Sequence, residues 1–236
     1  MSAVELSFEM PGGGHVLFTA RAHGNLSSVG GVDAEHGLQA RERLRWQIGV
    51  ERLQRGYQVH GTRVLCSRAD TDFPVQDSAT AQPPFEADGQ ATSVAGIGAL
   101  VLTADCLPVA LGTEGAVAIV HAGWRGLAAG VLEEGVRALR ELGGKGDLIA
   151  VIGPGAGPCC YEVGEEVHAA FGHAHRVASP PARNIDLKAV ARDRLLAAGV
   201  GEVRDVAACT ICDERFFSHR REGARAGRQG AVAWLS

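Results

Sequence analysis

The sequence predicts an α/β fold. Short apolar runs of strand length, bounded by Gly and Pro, recur along the chain. Amphipathic stretches of helical length lie between them, so the two kinds of element mix over the whole length instead of segregating. The composition adds a third observation: with 32 Gly and only 5% aromatic residues, the core must be built mainly from Val, Leu, Ile and Ala.

Taken in order, Val16–Ala20 is the first predicted strand. Ala34–Trp46 is a charged amphipathic helix for which Asp33 offers an N-cap oxygen. Gly98–Thr103, Pro108–Leu111 and Ala116–His121 are three central strands. Gly126–Leu142 is a long helix stopped by Gly143-Gly144. Leu148–Gly153 is a further strand. Gly164–Phe171 and Asp186–Ala198 are helices, the latter with Leu187, Val190, Leu195 and Leu196 on a helical spacing. Val203–Ala207 and Ala231–Leu235 complete the strands. Asp70–Pro84 and Ser179–Arg183, rich in polar residues and proline, are surface loops. With no repeat and no low-complexity block, residues 1–236 read as a single domain.

The bulk numbers exclude several classes. At 46% hydrophobic and 21% charged residues, the chain is not of disordered composition. A formal net charge of −4 argues against a nucleic-acid binder, although arginines cluster locally from Arg215 to Arg228. No run of ~18 apolar residues offers a membrane span. The opening residues, which include Glu5 and Glu9, lack the apolar stretch of a secretion signal. A cytoplasmic location, a monomer or homodimer, and reduced thiols are therefore expected.

Three places carry candidate chemistry: Gln58-Val59-His60-Gly61, Thr103-Ala104-Asp105-Cys106-Leu107-Pro108, and Val120-His121-Ala122-Gly123-Trp124-Arg125-Gly126. In each, a His or Cys stands where an apolar run opens into Gly or Pro, a position from which side chains can converge on a cleft. Spacing alone leaves the matter open. A lone His is more often a hydrogen-bonded structural residue, a lone Cys a small hydrophobe, and no compact ligand template is present.

The segments FTARAHGNLSS, QVHGTRV, ADGQATSVAGIGALVLTADCLPVAL, AIVHAGWRGLAAGVLEE, IGPGAGPCCYEVGEEV, DLKAVARDRLLAAGV, CTICDERFFSHRREG and GRQGAVAWL occur in that order. Together they resemble the polyphenol-oxidase "laccase domain" family, which includes YfiH-like bacterial proteins, from about Phe18 to Leu235. The resemblance implies a layered α/β/β/α sandwich with mixed sheets, similar to the catalytic domain of cytotoxic necrotising factors. It implies a metal held by His60, Cys106 and His121. It also implies activity on purine nucleosides: phosphorolysis of adenosine, inosine, guanosine and S-methyl-5'-thioadenosine, and deamination of adenosine. Copper oxidase and peptidoglycan-editing roles are attached to the family as well. The chain departs from the family pattern in a shorter first loop, in Asn25-Leu26-Ser27 where Asn-Leu-Gly is usual, and in Ala40-Arg41 where Asn-Arg is common.

Two imidazoles and a thiolate suit zinc, with a fourth position left for water or substrate. Copper is the alternative metal. Zinc lowers the pKa of bound water from about 15.7 to about 7, which suits attack at C6 of adenine. Asp105 and Glu162 are the candidate acid/base groups, and Gln58 is a further substrate contact. For phosphorolysis, Arg125 beside a predicted helix N-terminus is the candidate phosphate ligand, with Arg220, Arg221 and Arg228 as possible partners.

A competing reading makes Cys106 a hydrolase nucleophile with His121 as its base, acting in peptidoglycan editing. A third makes the chain a binding module without turnover. Multicopper oxidase chemistry is disfavoured: the chain has nine His and one His-x-His pair, His173-Ala174-His175. Cys209-x-x-Cys212 suggests half a zinc site or a redox pair. Its only partners, Cys159-Cys160, are adjacent and look ill-suited to share one metal, so packing is the favoured reading, with a disulfide or accessory metal as alternatives.

Overall fold

The computed structural model describes residues 6–68, 85–172, 175–177 and 183–236. The expected loop over 70–84, most of the loop over 179–183, and His173-Ala174 lie outside the described residues.

The chain runs through β1 (Ser7–Met10), β2 (Gly14–Phe18), α1 (Gly37–Ile48), β3 (Arg52–Gln54), β4 (Val64–Ser67), β5 (Gly89–Thr92), β6 (Ile97–Thr103), β7 (Leu107–Glu114) and β8 (Ala116–Ala122). It continues with α2 (Trp124–Ala129), α3 (Val131–Glu141), β9 (Lys145–Ile152), α4 (Glu165–Ala170), α5 (Leu187–Ala197), β10 (Glu202–Asp205), α6 (His219–Glu222) and β11 (Gln229–Leu235). The strands form two mixed sheets. One has the order β1-β2-β11-β6-β3 and the other β10-β9-β7-β8-β5-β4.

Three apolar clusters separate the layers. Leu44 of α1 packs with Leu53, Leu100 and Val232 on the outer face of the five-stranded sheet. Phe18, Val101, Val117, Ile119, Val151 and Ala233 fill the gap between the sheets. Val109, Leu111, Ala118 and Val120 meet Val131, Leu132 and Val136 of α3 and Val190 and Leu195 of α5 on the other side. The order of layers is thus α/β/β/α. Strand alternation produces it: Val117 and Ile119 of β8 face the gap, while Ala118 and Val120 face the helices. Each fully buried aliphatic of α3 contributes about 1.5–3 kcal/mol.

The predicted strands and helices reappear with shifted ends. Three differences have clear local causes. The helix predicted over 126–142 begins at Trp124 and is broken at Gly130, whose φ of 100° ends α2 and starts α3. Asp33 does not cap α1. It has φ 53° and makes no side-chain cap bond, and it precedes a short 3-10 turn, Ala34–His36, before α1 starts at Gly37. Strands β1, β3, β4 and β5 were not predicted, since three or four residues such as RLQ or GQAT are too few to show a period of two. Asp186 caps α5, accepting the Ala189 N–H at 3.0 Å.

Candidate metal and substrate site

The central hairpin builds half of the site. β7 and β8 pair antiparallel with Pro108 opposite His121, and that register continued past the strand ends sets Cys106 opposite Gly123. Cys106 and His121 share the strand face of Ala110 and Ile119, so both side chains turn into the gap between the sheets. Residues 104–106 are also where the chain crosses from β6 in one sheet to β7 in the other.

His60 arrives from the loop between β3 and β4 in a left-handed conformation, φ 61°, which a non-glycine residue holds only when its surroundings fix it. Asp88 does the fixing. Its fully buried carboxylate accepts the backbone N–H groups of Val59 at 3.1 Å, His60 at 2.9 Å and Gly61 at 2.7 Å. The same carboxylate lies 2.8 Å from His121 Nδ1. A carboxylate in this role only accepts, so His121 carries its proton on Nδ1 and leaves Nε2 free to face Cys106.

The donor atoms of His60, Cys106 and His121 all lie within 4.8 Å of one another. Cys106 Sγ is 3.8 Å from His60 Nε2, and the two imidazole rings meet edge to face at 4.9 Å. Gly123 makes the approach possible: a Cβ there would stand 2.7 Å from His60 Cδ2 and 3.0 Å from Cys106 Sγ. Burial works against ionisation of Cys106, but the adjacent His121 and His60 outweigh it and hold the thiol well below its ordinary pKa. Burial likewise works against a charged His121, yet Cys106 and Asp88 drive its pKa upward. Burial opposes the charge on Asp88, and His121 with the loop N–H groups more than offsets it, keeping the carboxylate ionised. Without a metal the pair is thus a Cys106 thiolate beside a protonated His121; a divalent cation would take the place of the proton on Nε2, and one thiolate with two neutral imidazoles is a donor set that fits zinc with a position left open.

A cavity of about 500 Å³ opens above this trio. It is lined by Ser27–Val29, Arg55–Gln58, His60, Leu102–Ala104, Cys106, His121, His219 and Arg228. Val29 and Tyr57 expose apolar surface at it. Asn25 ties two walls together, its Oδ1 accepting from Ser27 N at 2.9 Å and from Arg228 N at 2.8 Å. Burial lowers the pKa of both Arg55 and Arg228.

The other sequence-predicted site residues are distributed differently. Gln58 lines the cavity, but its amide is spent on the backbone of Leu102, donating to O at 2.7 Å and accepting from N at 2.8 Å. Asp105, with φ 89°, is turned away from the cavity: it accepts from Thr210 Oγ1 and from Arg220 N, both at 2.7 Å. Glu162 faces a separate surface hollow with Arg183 and Arg220. Arg220 stacks on Tyr161 and donates to Glu162 O. Arg125 is exposed and lies over its neighbour Trp124, 4.3 Å from the ring centroid, off the cavity lining. Arg221 is spent on the carbonyls of Thr210, Ile211 and Phe216.

Sequence reasoning missed Asp88, Arg55, Tyr57 and His219. Asp88 carried one signal, an acidic residue directly before a glycine and a short strand-like run in ADGQAT.

The model of the family described as multi-copper polyphenol oxidoreductase laccase matches residues 13–236. The chain belongs to this family. Among relatives, it is 43% identical to a purine nucleoside phosphorylase of Xylella fastidiosa (strain Temecula1), over 90% of this chain and 84% of the relative. It is 37% identical to adenosine deaminase RL5 of an unknown prokaryotic organism, over 86% and 84% of the two chains. Among solved structures, Neisseria meningitidis protein NMB0706 superposes with a TM-score of 0.81 at 30% identity, covering 98% of this chain and all of that one. These family members support an enzyme that processes purine nucleosides. Among the described residues, no helix is long and apolar enough to cross a membrane.

Proposed function

We propose that the chain is a zinc-dependent purine nucleoside phosphorylase with adenosine deaminase activity. The observation that carries this reading is one cavity that joins the His60–Cys106–His121 donor set to two arginines and an exposed aromatic. Its size suits a nucleoside plus phosphate.

His60, Cys106 and His121 would hold the zinc, which when bound supplies Lewis acidity and an acidified water. Arg228, whose Nη1 is held by the Ala226 and Gly227 carbonyls at 2.7 and 2.9 Å, and Arg55 would bring positive charge to phosphate in a partly desolvated setting. Tyr57 and Val29 offer faces for the purine. No carboxylate is found among the described residues that line the cavity, so proton transfer falls to imidazole. His219 suits it: its Nδ1 lies 3.1 Å from Gly223 O, a carbonyl that can only accept, so the neutral ring leaves Nε2 as an acceptor.

A second reading draws on a specific observation. Cys106, His121 and Asp88 are arranged as nucleophile, base and orienting carboxylate, the order of a cysteine hydrolase. His60 separates the two readings, because a hydrolytic triad does not need it as a ligand. Copper in place of zinc is tested by the same metal analysis.

The experiment measures metal content, and hypoxanthine release from inosine with and without phosphate, in the native protein and in His60→Ala. Loss of one zinc equivalent in His60→Ala, together with phosphate-dependent turnover in the native protein, supports the proposal. Turnover that survives without zinc, or zinc-loaded protein inert toward every nucleoside, rejects it. Arg228→Ala should raise the KM for phosphate by about 10-fold, the effect of losing one charge-assisted contact, while sparing adenosine deamination. Arg125→Ala should leave both unchanged.

A further inference from the structure

We propose that Cys159, Cys160, Cys209 and Cys212 form a second metal centre, a tetrathiolate site that takes one zinc ion and locks two loops behind the first site.

The parallel neighbours β9 and β10 bring the two cysteine pairs together. Both strands end on the same edge, and the chain leaving each carries one pair. The loops zip together beyond the strands: Gly155 bridges Cys209, and Thr210 N donates to Gly155 O at 3.0 Å. A tight turn over Gly157–Tyr161, in which Cys160 N and Tyr161 N both donate to Gly157 O, folds the adjacent cysteines back toward the second loop. Adjacency in sequence, which looked prohibitive, is thereby overcome by a backbone turn between two zipped loops.

The four sulfurs all lie within 4.8 Å of one another. Ligands about 2.3 Å from a tetrahedral centre are about 3.8 Å apart, and Cys159 Sγ stands 3.8 Å from Cys212 Sγ. A disulfide needs about 2.05 Å. Cys209 Sγ accepts the Gly157 N–H at 3.2 Å. Such N–H···S contacts stabilise a thiolate. Four thiols this close cannot all ionise unaided, since each thiolate repels the next. A divalent cation at their centre removes that repulsion as each thiol releases its proton. An all-sulfur tetrahedral set selects zinc among the common divalent ions of closed structural sites.

The position gives the centre a role. Thr210 lies between the ligands Cys209 and Cys212, and its hydroxyl holds Asp105. Ala156 N donates to Asp105 O at 2.8 Å from the other loop. Both loops thus brace the left-handed Asp105 that sets Cys106 in place. Arg221 braces the same turn through the carbonyls of Thr210 and Ile211, each at 2.8 Å.

The test uses His121→Ala, which removes the first site, so the result is independent of the nucleoside reading. That variant should retain about one zinc per chain, with an X-ray absorption first shell of sulfur only at about 2.3 Å. Adding Cys209→Ser and Cys212→Ser should remove this zinc. Should the triple variant fail to fold, cobalt(II) loaded into His121→Ala decides: intense thiolate-to-cobalt charge-transfer absorption supports the site, and its absence overturns it. A zinc-free His121→Ala protein, a bound iron, or an intact mass showing disulfides in freshly purified protein would each overturn the proposal.

Discussion

Asp88 and His121 are joined twice. The Asp88 carboxylate lies 2.8 Å from His121 Nδ1, and its backbone carbonyl accepts the His121 N–H at 2.6 Å. The same carboxylate holds the loop that carries His60. One side chain therefore orients two of the three proposed ligands.

Asp88→Asn tests that relationship. Both Asp88 oxygens accept N–H donors, so an Asn amide nitrogen must face one of them, and the loop or the ring has to move. Zinc affinity at the His60–Cys106–His121 site should fall about 10–100-fold, read by competition with a chelator in a Cys209→Ser/Cys212→Ser background, while the far-ultraviolet circular dichroism stays native. Unaltered affinity would show that Asp88 does not position the ligands.

Gly123→Ala attacks the same centre by sterics. The added Cβ would collide with His60 and Cys106, and α2 begins at the next residue, so the backbone cannot easily retreat. We expect zinc binding at this site and turnover to be lost, the proposed tetrathiolate zinc to remain, and the thermal stability of the metal-free protein to stay close to that of metal-free wild type. A variant that binds zinc normally would mean that His60 swings away without cost.

How much of this was legible in sequence follows from where each signal is stored. Leu107–Glu114 and Ala116–Ala122 are long, apolar and buried on both faces, so their strands and the Cys and His at their ends stand out. Arg52–Gln54 is too short to announce a strand, and Gly130 breaks a helix whose amphipathic pattern runs on through it. Asp88 has no local pattern, because its role depends on three N–H groups from a loop 27–29 residues earlier. Arg125 reads as a phosphate ligand from its place at a helix start, yet the register of that start turns it onto Trp124. The cysteine pairs fail to declare themselves because what joins them is the parallel pairing of β9 and β10.

Glu222 gives a pH prediction. It accepts from Arg21 at 2.5 Å and from Arg221 at 2.6 Å. Burial works against its charge, but Arg21, Arg221 and the Ser218 N–H prevail and lower its pKa. A carboxylate depressed in the folded state adds stability above its unfolded pKa of about 4.3, and loses it as pH falls through the lower folded value. Glu222→Gln should cost about 1 kcal/mol at pH 7. In urea unfolding series that gap should close progressively below about pH 4. A gap that is constant down to pH 2 would assign the loss to packing instead.

Arg41 closes the argument, since it links a buried charge to the cavity wall. It is fully buried on α1, and donates from Nη1 to Leu26 O at 2.5 Å and from Nη2 to Ser28 Oγ at 3.3 Å. Ser27, Ser28 and Val29 line the cavity, whereas the three proposed metal ligands stand on other elements. Arg41→Met preserves much of the stem volume but leaves the Leu26 carbonyl without this donor, which costs about 1–3 kcal/mol. The wall it braced should loosen, so the KM for nucleoside should rise several-fold while zinc stoichiometry stays at the wild-type value. Loss of zinc with an unchanged KM would place the role of Arg41 at the metal instead of the wall.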